Sequence, residues 1–312
     1  MNDDTTHSDA PADVAEMMVC TMSDWLLRAE VIQLGLASAL NQVAALLAQA
    51  RTNGQGPALE DPAALTLTRA QRPAFLSRSE RAAQIGALRR YEAPEWIGQM
   101  MPRLAGRVRQ FVRPLQIDAQ GRINSLRVAD KQGRLRRFAG LAGLAELAEI
   151  AQPFLVYLPQ QDSRCFVDAV DFVVADPLAA HAPGVGHVVM VTDLAVFEFT
   201  SAGARALSRH PGCASARRLG WRWAACRTRP NRTPHCCSGC ARRSTRITCA
   251  TSSSPAARRG ATRCCGCTSG RRQRRCAELL QSAGGLGSIA KAASTAAMPA
   301  RSGSRQNAST RS

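Results

Sequence analysis

Two Cys-x-x-Cys pairs, Cys237 with Cys240 and Cys264 with Cys267, stand 23 residues apart in this sequence, with His235 and Cys236 beside the first. Four thiolates at such spacing can hold zinc tetrahedrally. On an arginine-rich segment, that chemistry would make a noncatalytic zinc and nucleic-acid-binding module. Against it, Cys213, Cys226, Cys236, Cys249, Cys265 and Cys276 fall outside the pairs in no ligand pattern, and few Leu or Ile are at hand to pack beside a metal.

The composition divides the chain at one point. Residues 1–212 carry 21 Lys and Arg against 22 Asp and Glu, whereas residues 213–312 carry 20 against a single acid, Glu278. That last third holds 10 of the 12 cysteines and no Phe, Tyr, Val or Asp. The net charge of +18 therefore belongs to one segment. Arginine without aromatic platforms or a groove-reading element offers nonspecific phosphate contact and no specific nucleic-acid recognition. No apolar run approaches the roughly 18 residues that span a bilayer, so no membrane association is expected. The acidic N-terminus lacks the pattern of a signal peptide. A cytoplasmic location follows, in which clustered cysteines are thiols or metal ligands before they are disulfides.

The elements that would position a site lie in the first two thirds. Residues 1–21 are expected to be disordered, residues 22–212 to form one domain, and residues 213–312 to be a disordered tail. Ser23 is placed to cap one of one or two helices in the run that ends "NQVAALLAQA". "TNGQGPALEDP" reads as a loop, and "SERAAQIGALRRYE" and "PEWIGQMMPRLAG" as helical. From Gln110 onward "RQFVRPLQI", "RINSLRVA", "PFLVYLP", "CFVDAVDFVVA" and "HVVMVTDLAVFEFT" read as strands, with a helix in "AGLAGLAELAEIAQ". Strands alternating with helices predict an α/β fold, an open and largely parallel sheet flanked by helices.

Taken in order, several of these segments resemble the β subunit of the family I CoA-transferases, the group that includes glutaconate CoA-transferase. "QIDAQGRINSLRV" is similar to a QID-x-x-G-N-x-N segment, with Gly121 and Asn124 matching and Arg122 in place of the first Asn. "GLAGLAELA" resembles a G-x-G-G-x-x-D-I-A loop, with Gly140, Gly143 and Ala148 matching and Ala142 and Glu146 departing. "FVDAVDFVVADP", "VVMVTDLAVFEFT" and the sequence Arg209, His210, Pro211, Gly212 complete the resemblance, which covers about residues 26–212.

The resemblance implies exchange of CoA between an acyl-CoA and a carboxylic acid through a glutamyl-CoA intermediate, with an α subunit as partner in a heterotetramer. Coenzyme A would be a substrate, and no resident cofactor is implied. Glu60 falls within about a residue of the family's nucleophilic glutamate, although Pro62 stands where the family has glycine; the alternative is a surface-loop glutamate. Gly140 and Gly143 would lie near CoA, or would serve a turn and close helix packing. Asn124 reads as a turn residue, His210 as a loop histidine, and Asp168 and Asp171 as a solvated strand face. A related branch of the family, which hydrolyses ring-containing acyl-CoA without that glutamate, is the alternative activity.

The tail has a second explanation in its own codons. Shifted by one base with GC-favoured third positions, His235 to Thr251 reads LLQRLRAALDPDHLRDF, an amphipathic helix followed by an acidic turn. It is similar to the D-P-x-x-L-R-D ending of the same family. The same shift from Gly212 gives LRQREAAGLAL. On this reading the residues from about Cys213 are an out-of-frame translation, and the cysteines bind no metal.

Overall fold

The computed structural model describes residues 13–36, 38–69, 87–140, 143–182, 184–210, 276–278, 280 and 290–291. The cysteine pairs from Cys236 to Cys267, and the shifted-frame reading that rests on them, lie outside these residues, as do most of "SERAAQIGALRRYE" and residues 1–12.

The first element is helix α1 (Val14–Leu26), so the expectation of disorder through residue 21 is corrected for residues 14–21. Its start is a reciprocal cap: the Glu16 amide donates to the Asp13 carboxylate at 2.9 Å, and the Asp13 amide donates to the Glu16 carboxylate at 2.8 Å. Behind the cap, Met17, Met18, Val19, Met22 and Leu26 are all buried. Ser23 caps nothing. It lies inside α1, where its hydroxyl accepts from Arg51 Nη1 at 3.1 Å.

Strand β1 (Val31–Gln33), helix α2 (Ala39–Arg51) and strand β2 (Ala58–Asp61) follow. The "ALED" segment, expected in a loop, is a fully buried strand, because it pairs in parallel with β1 from Val31–Ala58 to Gln33–Glu60. Short antiparallel strands β3 (Thr66–Thr68) and β4 (Arg89–Arg90) extend that edge. The segment read as helical from Pro94 is helical: α3 (Ala93–Glu95), a π-helical turn over Trp96–Met100, and α4 (Met101–Arg103).

Strands β5 (Val108–Arg109) and β6 (Phe111–Val112) are separated by Gln110 alone, and β5 pairs with β1 while β6 pairs with β11 (Phe154–Leu158). Two five-stranded sheets thus meet in one segment of chain. Between β6 and β11 come the hairpin β7 (Gln116–Ile117) and β8 (Ile123–Asn124), the ribbon β9 (Arg127–Ala129) and β10 (Leu135–Arg137), and helix α5 (Leu144–Ile150). Strand β12 (Val188–Thr192) joins β11 in parallel, and β13 (Ala195–Thr200) and β14 (Gly203–Arg209) add on antiparallel. The α/β expectation holds, with mixed sheets: in each, three neighbouring strands pair in parallel and the strands beyond them, at one edge, pair antiparallel.

Alternation along the strands sorts the core into two faces. Ile32, Leu59, Phe111, Leu155, Tyr157, Val189 and Val191 pack against α1 and α2. Val31, Ala58, Val112, Phe154, Val156 and Met190 face the other way, toward Trp96, Met101, Leu144 and Leu147. Tyr157 is a probe of the first face. Burial pushes its hydroxyl pKa up to about 12, against smaller opposing effects of Arg113 and of hydrogen bonds to Ser38 and the Leu40 backbone. A folded-state value above the unfolded value of about 10 stabilises the fold below pH 10, and that stability is lost as the pH rises toward 12. Urea titrations between these pH values are expected to show a fall in stability of up to roughly 2–3 kcal/mol that Tyr157→Phe removes.

"CFVDAVDFVVA" is not a strand. It touches the β7–β8 hairpin through two isolated bridges, Phe166 with Ile117 and Ala175 with Ile123. Between them Asp171, itself exposed, accepts from Gln116 Nε2 at 2.9 Å and the Ala129 amide at 2.8 Å, and Asp168, three residues before it, could not share its face on a strand. The described parts of the last hundred residues pack on α1, contrary to a wholly unpacked tail. Cys276 is joined to Cys20 by a disulfide, where free thiols were expected, and Leu280 and Ala290 are buried in the same core. Lys291 Nζ lies 3.5 Å from the Glu16 carboxylate. Among the described residues no helix is long and apolar enough to cross a membrane.

Candidate active site

Glu60 lies one residue before the end of a central parallel strand. Its register partners are Gln33 on β1 and Leu67 on β3. Gln33 is the last residue of its strand and Glu60 the penultimate residue of β2, so both stand at the carboxyl ends, where open α/β sheets form their binding crevices. Side-chain alternation aims Glu60 away from α2, toward Tyr91 and Trp96. The surface-loop alternative is thereby removed: Glu60 is 0% exposed.

A carboxylate taken out of water needs a hydrogen-bond donor. The Tyr91 hydroxyl supplies one to Glu60 Oε1, and it also lies 3.3 Å from the Asp61 carbonyl oxygen. The Tyr91 ring stacks on Trp96 with centroids 5.3 Å apart. Beyond the strand, Asp61 Oδ1 accepts from the amides of Ala63 at 2.9 Å and Ala64 at 3.3 Å, closing the turn around Pro62 through a side chain. The proline's missing N–H therefore costs this turn nothing.

Next to this strand end is a cavity of about 110 Å³, whose walls include Gln33, Pro62, Trp96, Val112, Gly143 and Leu147. Gly143 and the turn after Glu60 thus share a cavity, although Glu60 itself lies behind its wall. Gly143 has φ +77°, in the left-handed region, and a Cβ there would meet nothing within 4 Å. Gly140 has a different setting. A Cβ on it would come within 1.7 Å of the Ser125 carbonyl oxygen, so the backbone of residue 125 occupies the space a side chain would need.

The other motif residues hold the scaffold. Asn124 is fully buried; its Nδ2 donates to Gln116 Oε1 at 2.7 Å, and its Oδ1 accepts from the Leu126 and Arg127 amides at 3.0 and 3.2 Å. Asp118 accepts from the Gln120 and Arg122 amides and from Arg122 Nε at 2.7 Å, so Arg122, where the family has Asn, closes the β7–β8 turn with an ion pair. His210 is buried in its loop, with Nε2 2.8 Å from the Thr192 carbonyl oxygen, and Asp168 is exposed. Burial pushes the Cys165 thiol up, away from a reactive thiolate. Among the described residues no group of three His, Cys, Asp or Glu could hold a metal ion.

Tyr91, Trp96 and Gln33 escaped the sequence reading. The available signal was the pair of aromatics in "YEAPEW", since the chain has only two Tyr and four Trp. A wider groove of about 400 Å³ opens at the starts of β1 and β2, between Arg69, Arg89, Arg103 and Arg107. It lies at the opposite ends of the strands from Glu60.

No family model and no curated protein matches the sequence. The fold is similar to that of the decarboxylase AibA/AibB, with a TM-score of 0.54 and 26% identity over 65% of this chain and 80% of that one. It is also similar to glutaconate coenzyme A-transferase from Acidaminococcus fermentans, with a TM-score of 0.52 and 19% identity over 64% of this chain and 80% of that one. IpdAB from Rhodococcus jostii RHA1 gives 0.52 and 21% over 66% and 80%. Motif order and architecture agree: the chain resembles the family I CoA-transferases and has the fold of one of their subunits.

Proposed function

We propose that the protein is the β subunit of a cytoplasmic CoA-transferase that works with an α subunit in a heterotetramer and uses Glu60 as nucleophile. The observation that carries this reading is the placement of Glu60: a fully buried carboxylate at the carboxyl end of a central parallel strand, held by a tyrosine hydroxyl beside a cavity. A Glu60 carboxylate oxygen would attack the thioester carbonyl carbon, and the C–S bond would break with its electron pair leaving on CoA. The thiolate would then attack the glutamyl carbonyl of the anhydride, releasing the first acid as its carboxylate and leaving a glutamyl-CoA thioester. Attack of a second carboxylate and return of the thiolate complete the exchange with Glu60 regenerated.

Gly143 fits a place near CoA because its open surface lets a ligand approach the backbone; Gly140, packed on Ser125, would shape the loop from behind. In the single chain Tyr91 bonds Glu60 Oε1 and stacks on Trp96. The α subunit is the partner that would open a path to the other carboxylate oxygen, with Tyr91 left in place, and complete the site; the likeness to AibA/AibB and IpdAB, each named for an A and a B chain, supports such a partner.

The test is coexpression with the α subunit and an assay of CoA exchange between acyl-CoA and free acids. Exchange by the complex and by neither chain alone is expected. A stable complex without exchange would count against the reading. The likeness to a decarboxylase favours one second outcome, release of carbon dioxide without CoA exchange; thioester hydrolysis without a hydroxylamine-sensitive intermediate would indicate the ring-hydrolysing branch.

A further inference from the structure

We propose that Tyr91 is the positioning residue of Glu60, a role that rests on the reading of Glu60 as nucleophile. Tyr91 follows β4, Glu60 sits in β2, and the two are 31 residues apart in sequence, yet their side chains meet in a buried hydrogen bond. Both partners are almost without solvent contact: Glu60 is 0% and Tyr91 5% exposed. Water therefore does not compete for this bond, and the hydroxyl supplies a donor in a place that an apolar ring would also have filled.

The bond has two effects on the attacking group. It fixes the rotation of the carboxyl plane, because Oε1 is tied to a phenol whose ring is itself stacked on Trp96. It also places a hydroxyl donor directly against the carboxylate, a charge-assisted bond stronger than one between neutral groups. In the attack on the thioester, the electrons that form the new C–O bond come from this carboxylate, and the leaving pair goes to the CoA sulfur. Tyr91 gives up no proton in that step. It holds the carboxylate oriented until the C–O bond forms, without touching the acyl-CoA.

Tyr91→Phe deletes one oxygen and keeps the ring on Trp96. In the complex with the α subunit, the expected result is a fall in kcat of about 10- to 100-fold, with KM for acyl-CoA unchanged within about twofold. The rate of hydroxylamine trapping per labelled site is expected to fall by the same factor; because it counts only sites that react, misfolded protein lowers its amplitude and not its rate. A kcat and a trapping rate equal to wild type would overturn the role of Tyr91, as would a loss carried entirely by KM. Glu60→Gln separates this from the parent reading: full exchange in that variant would remove the nucleophile itself, whatever Tyr91→Phe does.

Discussion

Gly140→Ala is expected to lower the stability of the fold by about 3 kcal/mol, the upper range for a forced methyl in a packed site. A Cβ at this position would lie 1.7 Å from the Ser125 carbonyl oxygen, 2.4 Å from its carbonyl carbon and 2.6 Å from its Cβ. The obstacle is backbone, so no rotamer change relieves it. Ser125 follows Asn124, whose side chain is bonded to Gln116 across the β7–β8 hairpin and to the Leu126 and Arg127 backbone beyond it, and Gln116 in turn holds Asp171. To admit the methyl group, residues 138–140 must move off this network, and the Phe138 amide must leave the Leu126 carbonyl, to which it donates at 2.6 Å. Gly143→Ala is the control. There the Cβ meets nothing, and only the left-handed backbone resists, at about 1 kcal/mol. Urea denaturation of the two variants checks the order; a cost for Gly140→Ala no greater than for Gly143→Ala would contradict the packing described.

Glu60→Gln, in complex with the α subunit, is expected to reduce CoA exchange by about 10³-fold or more, because an amide cannot form the anhydride. The change preserves volume and leaves an oxygen able to accept from Tyr91, so the stability of the chain is expected to shift by no more than about 1 kcal/mol. Glu60→Asp keeps the carboxylate but withdraws it by one methylene from a site whose cover is set by the fixed Tyr91–Trp96 pair. It is expected to lose most of the exchange as well. Parallel assays of exchange and of urea stability separate chemistry from folding; exchange within tenfold of wild type for Glu60→Gln would contradict a nucleophilic Glu60.

What could be read from the sequence followed the strength of local pattern. "PFLVYLP" and "HVVMVTDLAVFEFT" are apolar, β-branched runs bounded by Pro, Asp and Thr, and they form the central strands β11, β12 and β13. β2 was hidden because "ALED" is two small apolar steps followed by two acids, after a Gly- and Pro-rich stretch; only its parallel pairing with β1 makes it a strand. α1 was hidden behind an acidic N-terminus, although Asp13 and Glu16 before an apolar run are a start signal. In "CFVDAVDFVVA" the two acids stand three residues apart, which a strand's period of two would place on opposite faces, and Asp171 gives its carboxylate to Gln116 and Ala129, a tertiary contact that composition does not reveal. The candidate Glu60 came from resemblance to a family motif, whereas its burial was not legible, since Tyr91 reaches it from 31 residues away. The two motif glycines looked alike in sequence and differ in structure, one against backbone and one on a cavity.

The most direct measurement incubates the complex with acyl-CoA, quenches it with hydroxylamine and maps the modified carboxylate by peptide mass spectrometry. A hydroxamate on Glu60 is expected, formed only when acyl-CoA is present and formed more slowly in Tyr91→Phe. An unmodified Glu60 in a complex that exchanges CoA, or a hydroxamate on a different carboxylate, would contradict it.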